Sequence, residues 1–184
     1  MRLVTVFGSA QPVPGESAYE EAQQLGSQLA MLQLGVVTGG YMGTMEAVSQ
    51  GSAMSGGEVV GVTCAEIENW RPTPHNVWVQ RVIHCETLEE RIRTLIHLGD
   101  AGIIALPGGL GTLAEIMLLW NHLSIHPDDQ RPFILVGEGW QTTITTFFVA
   151  QKAYLPAAIP ENIHFESSVN DALQWFMPRS ISRV

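Results

Sequence analysis

Two groups of residues in this chain have types and spacings that suit chemistry: a carboxylate at Glu115, and glycines at three strand–helix junctions. The richest stretch is residues 101–120, AGIIALPGGLGTLAEIMLLW. Its apolar start, residues 101–106, has the length of a buried strand. Pro107, Gly108, Gly109 and Gly111 break that run. From Thr112 the pattern turns helical, with Leu113, Ile116, Met117 and Trp120 on one face. Strand, glycine turn and helix start in that order make an anion-binding design. Glycines let the backbone approach a phosphate, and first-turn N–H groups point at it with the helix dipole behind them. Glu115 is read into that first turn, where the dipole favours a carboxylate. It is either a stabilising charge or a reactive carboxylate held beside a phosphoester.

The elements that position these groups read as alternating strands and helices. Strands are expected at residues 2–7, 36–38, 58–63, 79–84, 101–106, 132–136 and 162–165. Ser17 to Glu20 has the S-x-x-E form of a capping box and opens a helix that Gly35 stops. Further helices are expected to about Ser52 after the second glycine loop, at 87–98, from Thr112 to about Leu123, at 139–151 and at 169–176. Residues 65–77, with Trp70, Pro72, Pro74 and His75, read as a long loop. Alternation of this kind implies right-handed βαβ units. The fold class is α/β: a Rossmann-like, doubly wound parallel sheet with helices on both faces, over one domain, 1–184. Ligands of such sheets bind beyond the carboxyl ends of the strands. Gly8-Ser9, Gly39-Gly40 through Gly43, and Pro107 to Thr112 all fall there. None has the G-x-G-x-x-G spacing of a dinucleotide fingerprint.

Composition narrows the classes. The chain has 184 residues, 46% of them apolar, and a formal charge of −9 from 18 acidic and 9 basic residues. That balance argues against a nucleic-acid platform, but not against a small anionic ligand held by backbone N–H groups. No apolar run reaches the roughly 18 residues of a membrane span, and Arg2 leads straight into a strand-like run rather than a signal peptide. Cys64 and Cys85 have no metal spacing, and the six histidines are scattered, so no metal and no cofactor is expected. A reduced, cytoplasmic protein is the default.

The stretch P-G-G-x-G-T-x-x-E, Pro107 to Glu115, resembles the signature of the LOG (Lonely Guy) family, often labelled possible lysine decarboxylases. Phe7-Gly8-Ser9 is similar to that family's first phosphate contact, Thr38 to Met45 to its second glycine loop, and Glu89-Glu90-Arg91 to the segment carrying its catalytic arginine. Glu89 stands where the family usually has histidine, and Ile92 where it has lysine. The resemblance implies a phosphoribohydrolase that cuts the N-glycosidic bond of nucleoside 5′-monophosphates, and a homodimer or larger assembly. A decarboxylase would need a Schiff-base lysine. Lys152, the sole lysine, is far from every glycine motif, so that label is rejected.

Glycosidic cleavage passes through an oxocarbenium-like sugar, which a carboxylate stabilises while water attacks C1′. Glu115 is the candidate, as base or as electrostatic stabiliser. Arg91 can orient Glu115 and lower its pKa, or grip a substrate oxygen. Three residues after Leu88 and four before Leu95, Arg91 borders its helix's core face. Arg93 falls on another side and is the rival. Gly108, Gly109, Gly111 and Thr112 would bind the 5′-phosphate, helped by Ser9. Tyr41, Met42, Met45 and Met117 either line a base pocket or belong to the core, and Glu46 either reaches the site or is a first-turn charge of its helix. The competing function is a non-catalytic carrier or sensor of a phosphorylated ligand, such as a molybdenum-cofactor carrier protein.

Overall fold

The computed structural model describes residues 1–155 and 160–177. Seven strands form one all-parallel sheet: β1 (Arg2–Phe7), β2 (Leu34–Thr38), β3 (Val59–Cys64), β4 (Arg81–Cys85), β5 (Gly102–Ala105), β6 (Phe133–Val136) and β7 (Ile163–Glu166). Their spatial order is β4-β3-β2-β1-β5-β6-β7. Strand β1 pairs with β2 through Val4↔Val36 and with β5 through Val4↔Gly102. The chain therefore winds outward one way from β1, crosses back, and winds the other way from β5. The crevice between β1 and β5 is the topological switch point, the place where sheets of this kind bind ligands.

The helices are α1 (Ser17–Met31), α2 (Thr44–Met54), α3 (Ala65–Trp70), α4 (Leu88–Leu98), α5 (Leu110–Ile125), α6 (Glu138–Ala150) and α7 (Val169–Leu173). Each central strand feeds two cores because successive side chains point to opposite faces. Leu3 and Phe7 of β1 join Ile103, Phe133 and the inner faces of α4, α5 and α6. Val4 and Val6 join Ile104, Ile134 and the inner faces of α1, α2 and α7. Burial on both faces is why these strands read as continuous apolar runs rather than alternating ones.

Four local expectations are corrected. Helix α1 begins at Ser17 with Glu16 as its N-cap and no side-chain cap bond, so the S-x-x-E pattern makes no capping box. It ends before Gly35: Leu32 is the C-cap, Gln33 takes the left-handed conformation at φ 61°, and Gly35 lies inside β2. The stretch read as loop at 65–77 starts with α3. Helix α5 starts at Leu110, two residues before Thr112, because Gly109 is its N-cap. By contrast Thr87 does cap α4, its side chain accepting from the Glu90 N–H at 3.2 Å.

Candidate active site

Both halves of the sheet contribute to one edge. Strand β1 ends in Gly8-Ser9, β2 in Gly39–Gly43 and β5 in Pro107–Gly109. Three hydrogen bonds stitch these loops together. The Thr112 hydroxyl donates to the Gly8 carbonyl at 3.0 Å, and Thr44 donates to the Ser9 carbonyl from its backbone N–H at 2.8 Å and its hydroxyl at 3.1 Å. A side chain at Gly8 would collide with the Thr44 hydroxyl. Ser9 keeps a half-buried hydroxyl at the rim, accepting from the Gln11 N–H.

The PGG loop is the open member. Pro107, Gly108, Gly109, Leu110 and Gly111 are exposed, and nothing lies within 4 Å of where a Cβ would stand on Gly109 or Gly111. The first intrahelical bond of α5 runs from the Leu113 N–H to the Gly109 carbonyl at 2.9 Å. The N–H groups of Leu110, Gly111 and Thr112 precede it and have no partner within the helix. Behind the loop, the Trp140 indole N–H donates to the Leu106 carbonyl at 3.0 Å. A cavity of about 190 Å³ lies between Pro107–Gly108 and the start of α6.

The glycines of the second loop are placed differently. Gly39, Gly40 and Gly43 are all buried. A Cβ on Gly39 would overlap Nη2 of Arg91, and one on Gly43 would overlap the Ser9 carbonyl. Gly40 packs on Gly61 and Thr63 with φ +77°, a left-handed conformation that glycine adopts without strain. Their missing side chains make room for other protein atoms. Asn76, to which no sequence motif pointed, clamps this loop by donating from Nδ2 to the Gly40 and Tyr41 carbonyls at 3.0 and 2.8 Å.

Beside these loops lies a buried ion pair. Arg91 of α4 is 5% exposed and Glu115 of α5 is 8% exposed. Nη1 of Arg91 donates to Oε1 of Glu115 at 3.1 Å, and its Nε donates to the Val62 carbonyl at 2.9 Å. Arg93, two residues on, is exposed. Because α5 starts early, Glu115 lies in the second turn rather than the first, so the helix dipole is not what holds it. Its pKa also departs from the expectation of a lowered value: burial pushes the carboxyl up, and the Arg91 charge and hydrogen bond only partly offset this.

The other candidates divide. Tyr41 and Met45 are buried, Met42 and Met117 half-buried, and Met117 packs against the core. Glu46 lies on the α1 side of α2, where its charge helps raise the Tyr19 pKa, second to burial. Among the described residues, no group of three or more His, Cys, Asp or Glu is placed to hold a metal ion. No helix among them is long and apolar enough to cross a membrane.

Comparison with known proteins bears on the family and the fold. The model of the SLOG cluster4 family matches residues 1–154. The pyrimidine/purine nucleotide 5′-monophosphate nucleosidase of Escherichia coli K12 is 27% identical over 170 residues, covering 86% of this chain but 36% of that protein. The cytokinin riboside 5′-monophosphate phosphoribohydrolase LOG4 of Arabidopsis thaliana is 31% identical, covering 79% of this chain and 66% of its own. The chain thus spans about a third of the bacterial relative and about two thirds of the plant one. Among solved structures, that of TM1055 superposes with a TM-score of 0.74 at 27% identity, covering 95% of this chain and 97% of its own. The molybdenum cofactor carrier protein of Chlamydomonas reinhardtii superposes at 0.70 and 23% identity, covering 94% of each chain. That last likeness is one of fold alone.

Proposed function

The chain belongs to the SLOG cluster4 family, and from that premise we propose that it hydrolyses the N-glycosidic bond of nucleoside 5′-monophosphates, releasing free base and ribose 5-phosphate. The observation that carries this reading is the buried Arg91–Glu115 pair beside an open PGG loop at the switch point. A carrier needs the anion cradle. It has no use for a carboxylate kept out of water against an arginine, an arrangement that is costly to bury.

In the proposed reaction the 5′-phosphate sits on the N–H groups of Leu110, Gly111 and Thr112, over Gly108 and Gly109, with Gly8 and Ser9 at its other side. Binding energy spent on the phosphate positions the ribose over Glu115. The C1′–N bond breaks with its electron pair leaving on the base. Positive charge grows on the sugar, and the Glu115 carboxylate stabilises it and takes the proton of the attacking water. Water's oxygen bonds to C1′, and the proton taken by Glu115 is handed on to the departing base, which restores the carboxylate. Burial that raises the Glu115 pKa makes it a better proton acceptor. Arg91 fixes the carboxylate oxygen through Nη1, and Nη2 is the donor left for a substrate oxygen. None of these steps calls for a metal or cofactor.

The proposal extends to assembly. Leu110, Leu118 and Ile125 of α5 and Phe147 and Val149 of α6 are exposed. Helix α5 carries one formal charge, Glu115, and that one is buried. Exposed apolar side chains gathered on two neighbouring helices are normally covered, and we assign that cover to a second copy of the chain in a cytoplasmic homodimer. The test of function pairs AMP with adenosine and follows free adenine by chromatography. Expected is rapid release from AMP, release from adenosine slower by about 10²-fold or more, and competition by ribose 5-phosphate. Equal kcat/KM for the two would refute the phosphate anchor, and no release from any nucleoside monophosphate would refute the activity.

A further inference from the structure

We infer that Tyr41 is a positioning residue for Arg91, its ring backing the guanidinium while its hydroxyl ties the second glycine loop to the start of α3. The kinetic part of this inference rests on the nucleotide-hydrolase reading above; the geometric part does not.

Arg91 is held in its own plane at two points, Nε on the Val62 carbonyl and Nη1 on Glu115. Two in-plane anchors leave a planar group free to tilt about the line joining them. Tyr41 opposes that tilt. The guanidinium carbon lies 5.9 Å from the centre of its ring, within the range at which a cation is attracted to an aromatic face.

The ring is itself fixed at both ends. At the backbone, the Tyr41 carbonyl accepts from Asn76 Nδ2 at 2.8 Å. At the tip, the phenol oxygen accepts from the Cys64 N–H at 2.8 Å and donates to Glu68 Oε1 at 3.1 Å. Burial, aided by the Glu68 charge and opposed by the Cys64 bond, pushes this phenol up to about 12. It therefore stays a donor at any working pH.

Helix α3 completes the brace. Glu66 Oε2 accepts from the Leu88 N–H at 2.8 Å, and Leu88 is the first residue of α4, one turn before Arg91. One short helix thus grips both Tyr41, through Glu68, and the start of the helix that carries Arg91, through Glu66. A residue that merely filled core volume would have no need of a phenol, since a buried hydroxyl is a cost unless it is bonded. Here each of its bonds joins segments that flank the guanidinium.

Two variants of the full chain separate ring from hydroxyl. Tyr41→Phe keeps the ring and loses the ties to Cys64 and Glu68; Tyr41→Leu loses both. The direct readout is the Arg91 Nε–H resonance in ¹⁵N-correlated spectra, assigned by its disappearance in Arg91→Lys, and its slow exchange with water. The kinetic readout is kcat and KM for AMP.

Expected for Phe is a lower Tm, a retained Arg91 signal, and kcat within about threefold of wild type. Expected for Leu is loss of the slowly exchanging signal and a fall in kcat of about 30-fold or more, with KM within about threefold, as for a misplaced catalytic group. A Leu variant that keeps both the signal and kcat overturns the inference. So do equal losses in Phe and Leu, which would give the role to the hydroxyl. If Tyr41→Leu does not fold, Tyr41→Met fills the space without a ring and is judged by the same criteria. If the wild-type protein does not turn over AMP, the substrate reading falls and the Arg91 resonance alone decides: lost in Leu and kept in Phe supports the brace, unchanged in both overturns it.

Discussion

Gly39→Ala tests the site at its tightest point. Gly39 is not among the residues with positive φ, so the backbone there accepts alanine without strain. The new methyl meets protein instead. It overlaps Nη2 of Arg91 and comes within 2.6 Å of Met45 Sδ and 3.2 Å of Arg91 Cζ. The Met45 end can swing aside. The guanidinium, tethered by Nε to Val62, must retreat by roughly an ångström or more, and a reacting group displaced that far costs on the order of 10²-fold in rate. The Nη1–Oε1 bond starts at 3.1 Å, so the same retreat takes it beyond hydrogen-bond range. Completely breaking a buried pair costs about 3–5 kcal/mol; with the Val62 bond retained, about 2 kcal/mol of stability is expected to go. The assay is adenine release from saturating AMP together with urea unfolding, using Gly139→Ala as control because nothing lies within 4 Å of its Cβ position. A kcat within about threefold of wild type would refute the reasoning. A loss of rate matched by an equal loss of ribose 5-phosphate binding would refute it differently, by putting Gly39 on the phosphate.

Three further outcomes follow from the same geometry. Arg91→Ala should lower kcat by about 10²-fold or more, whereas exposed Arg93→Ala should change neither rate nor stability by more than about 0.5 kcal/mol; the reverse ranking would move the role to Arg93. Glu115→Gln should keep ribose 5-phosphate affinity and lose nearly all turnover. Its stability also carries a sign: folding raises the Glu115 pKa above its ordinary 4.5, so the stabilisation from the neutral acid is complete below that value and is lost as pH rises through the raised one. Urea unfolding from about pH 4 to 8 should show wild type losing ground to Glu115→Gln as pH rises, and the opposite slope would mean that the Arg91 charge outweighs burial. Thr112→Val removes the donor to the Gly8 carbonyl and should cost about 1–3 kcal/mol while raising KM for AMP more than it lowers kcat; an unchanged KM would show that the stitch between the loops does not shape the cradle.

How far the sequence was legible depends on the physics behind each signal. Strands buried on both faces announce themselves as apolar runs, and β1 falls on the expected residues 2–7. Arg91 is preferred to Arg93 on the family resemblance together with helical periodicity, and it is buried although Leu88, one of the two residues that mark the core face in that reading, is exposed. The start of α5 is hidden in the sequence because Pro107 and three glycines read as a break up to Thr112, yet Leu110 and Gly111 are already helical once Gly109 caps them. Helix α3 leaves no mark in the sequence because six residues ahead of Pro72 and Pro74 show no period. The Glu115 pKa went the other way because a sequence displays the neighbouring charge of Arg91 but not the loss of water around the carboxyl. Gly39 drew the usual reading of a glycine in a phosphate loop. In the fold, the space beside it belongs to a guanidinium arriving from α4. Asn76, Glu66 and Glu68 carry no motif, and their importance lies wholly in what they bond across the fold.

The crossing from β4 back to β5 has a consequence for how the protein is made. Strands β1 to β4 pair in sequence order, each beside its predecessor. The other edge of β1 waits for β5, whose Gly102 lies opposite Val4, across a loop of about a hundred residues whose closure is entropically costly. Arg91 precedes that strand and Glu115 follows it. Until β5 docks, the arginine lacks its counter-charge and the sheet has an open, apolar edge in its middle. On a ribosome, that vulnerable interval runs until the segment of β5 has emerged. Recovery of the proposed AMP hydrolysis in a refolding experiment would therefore report closure of the sheet itself, lagging behind the helical signal that α1, α2 and α4 provide.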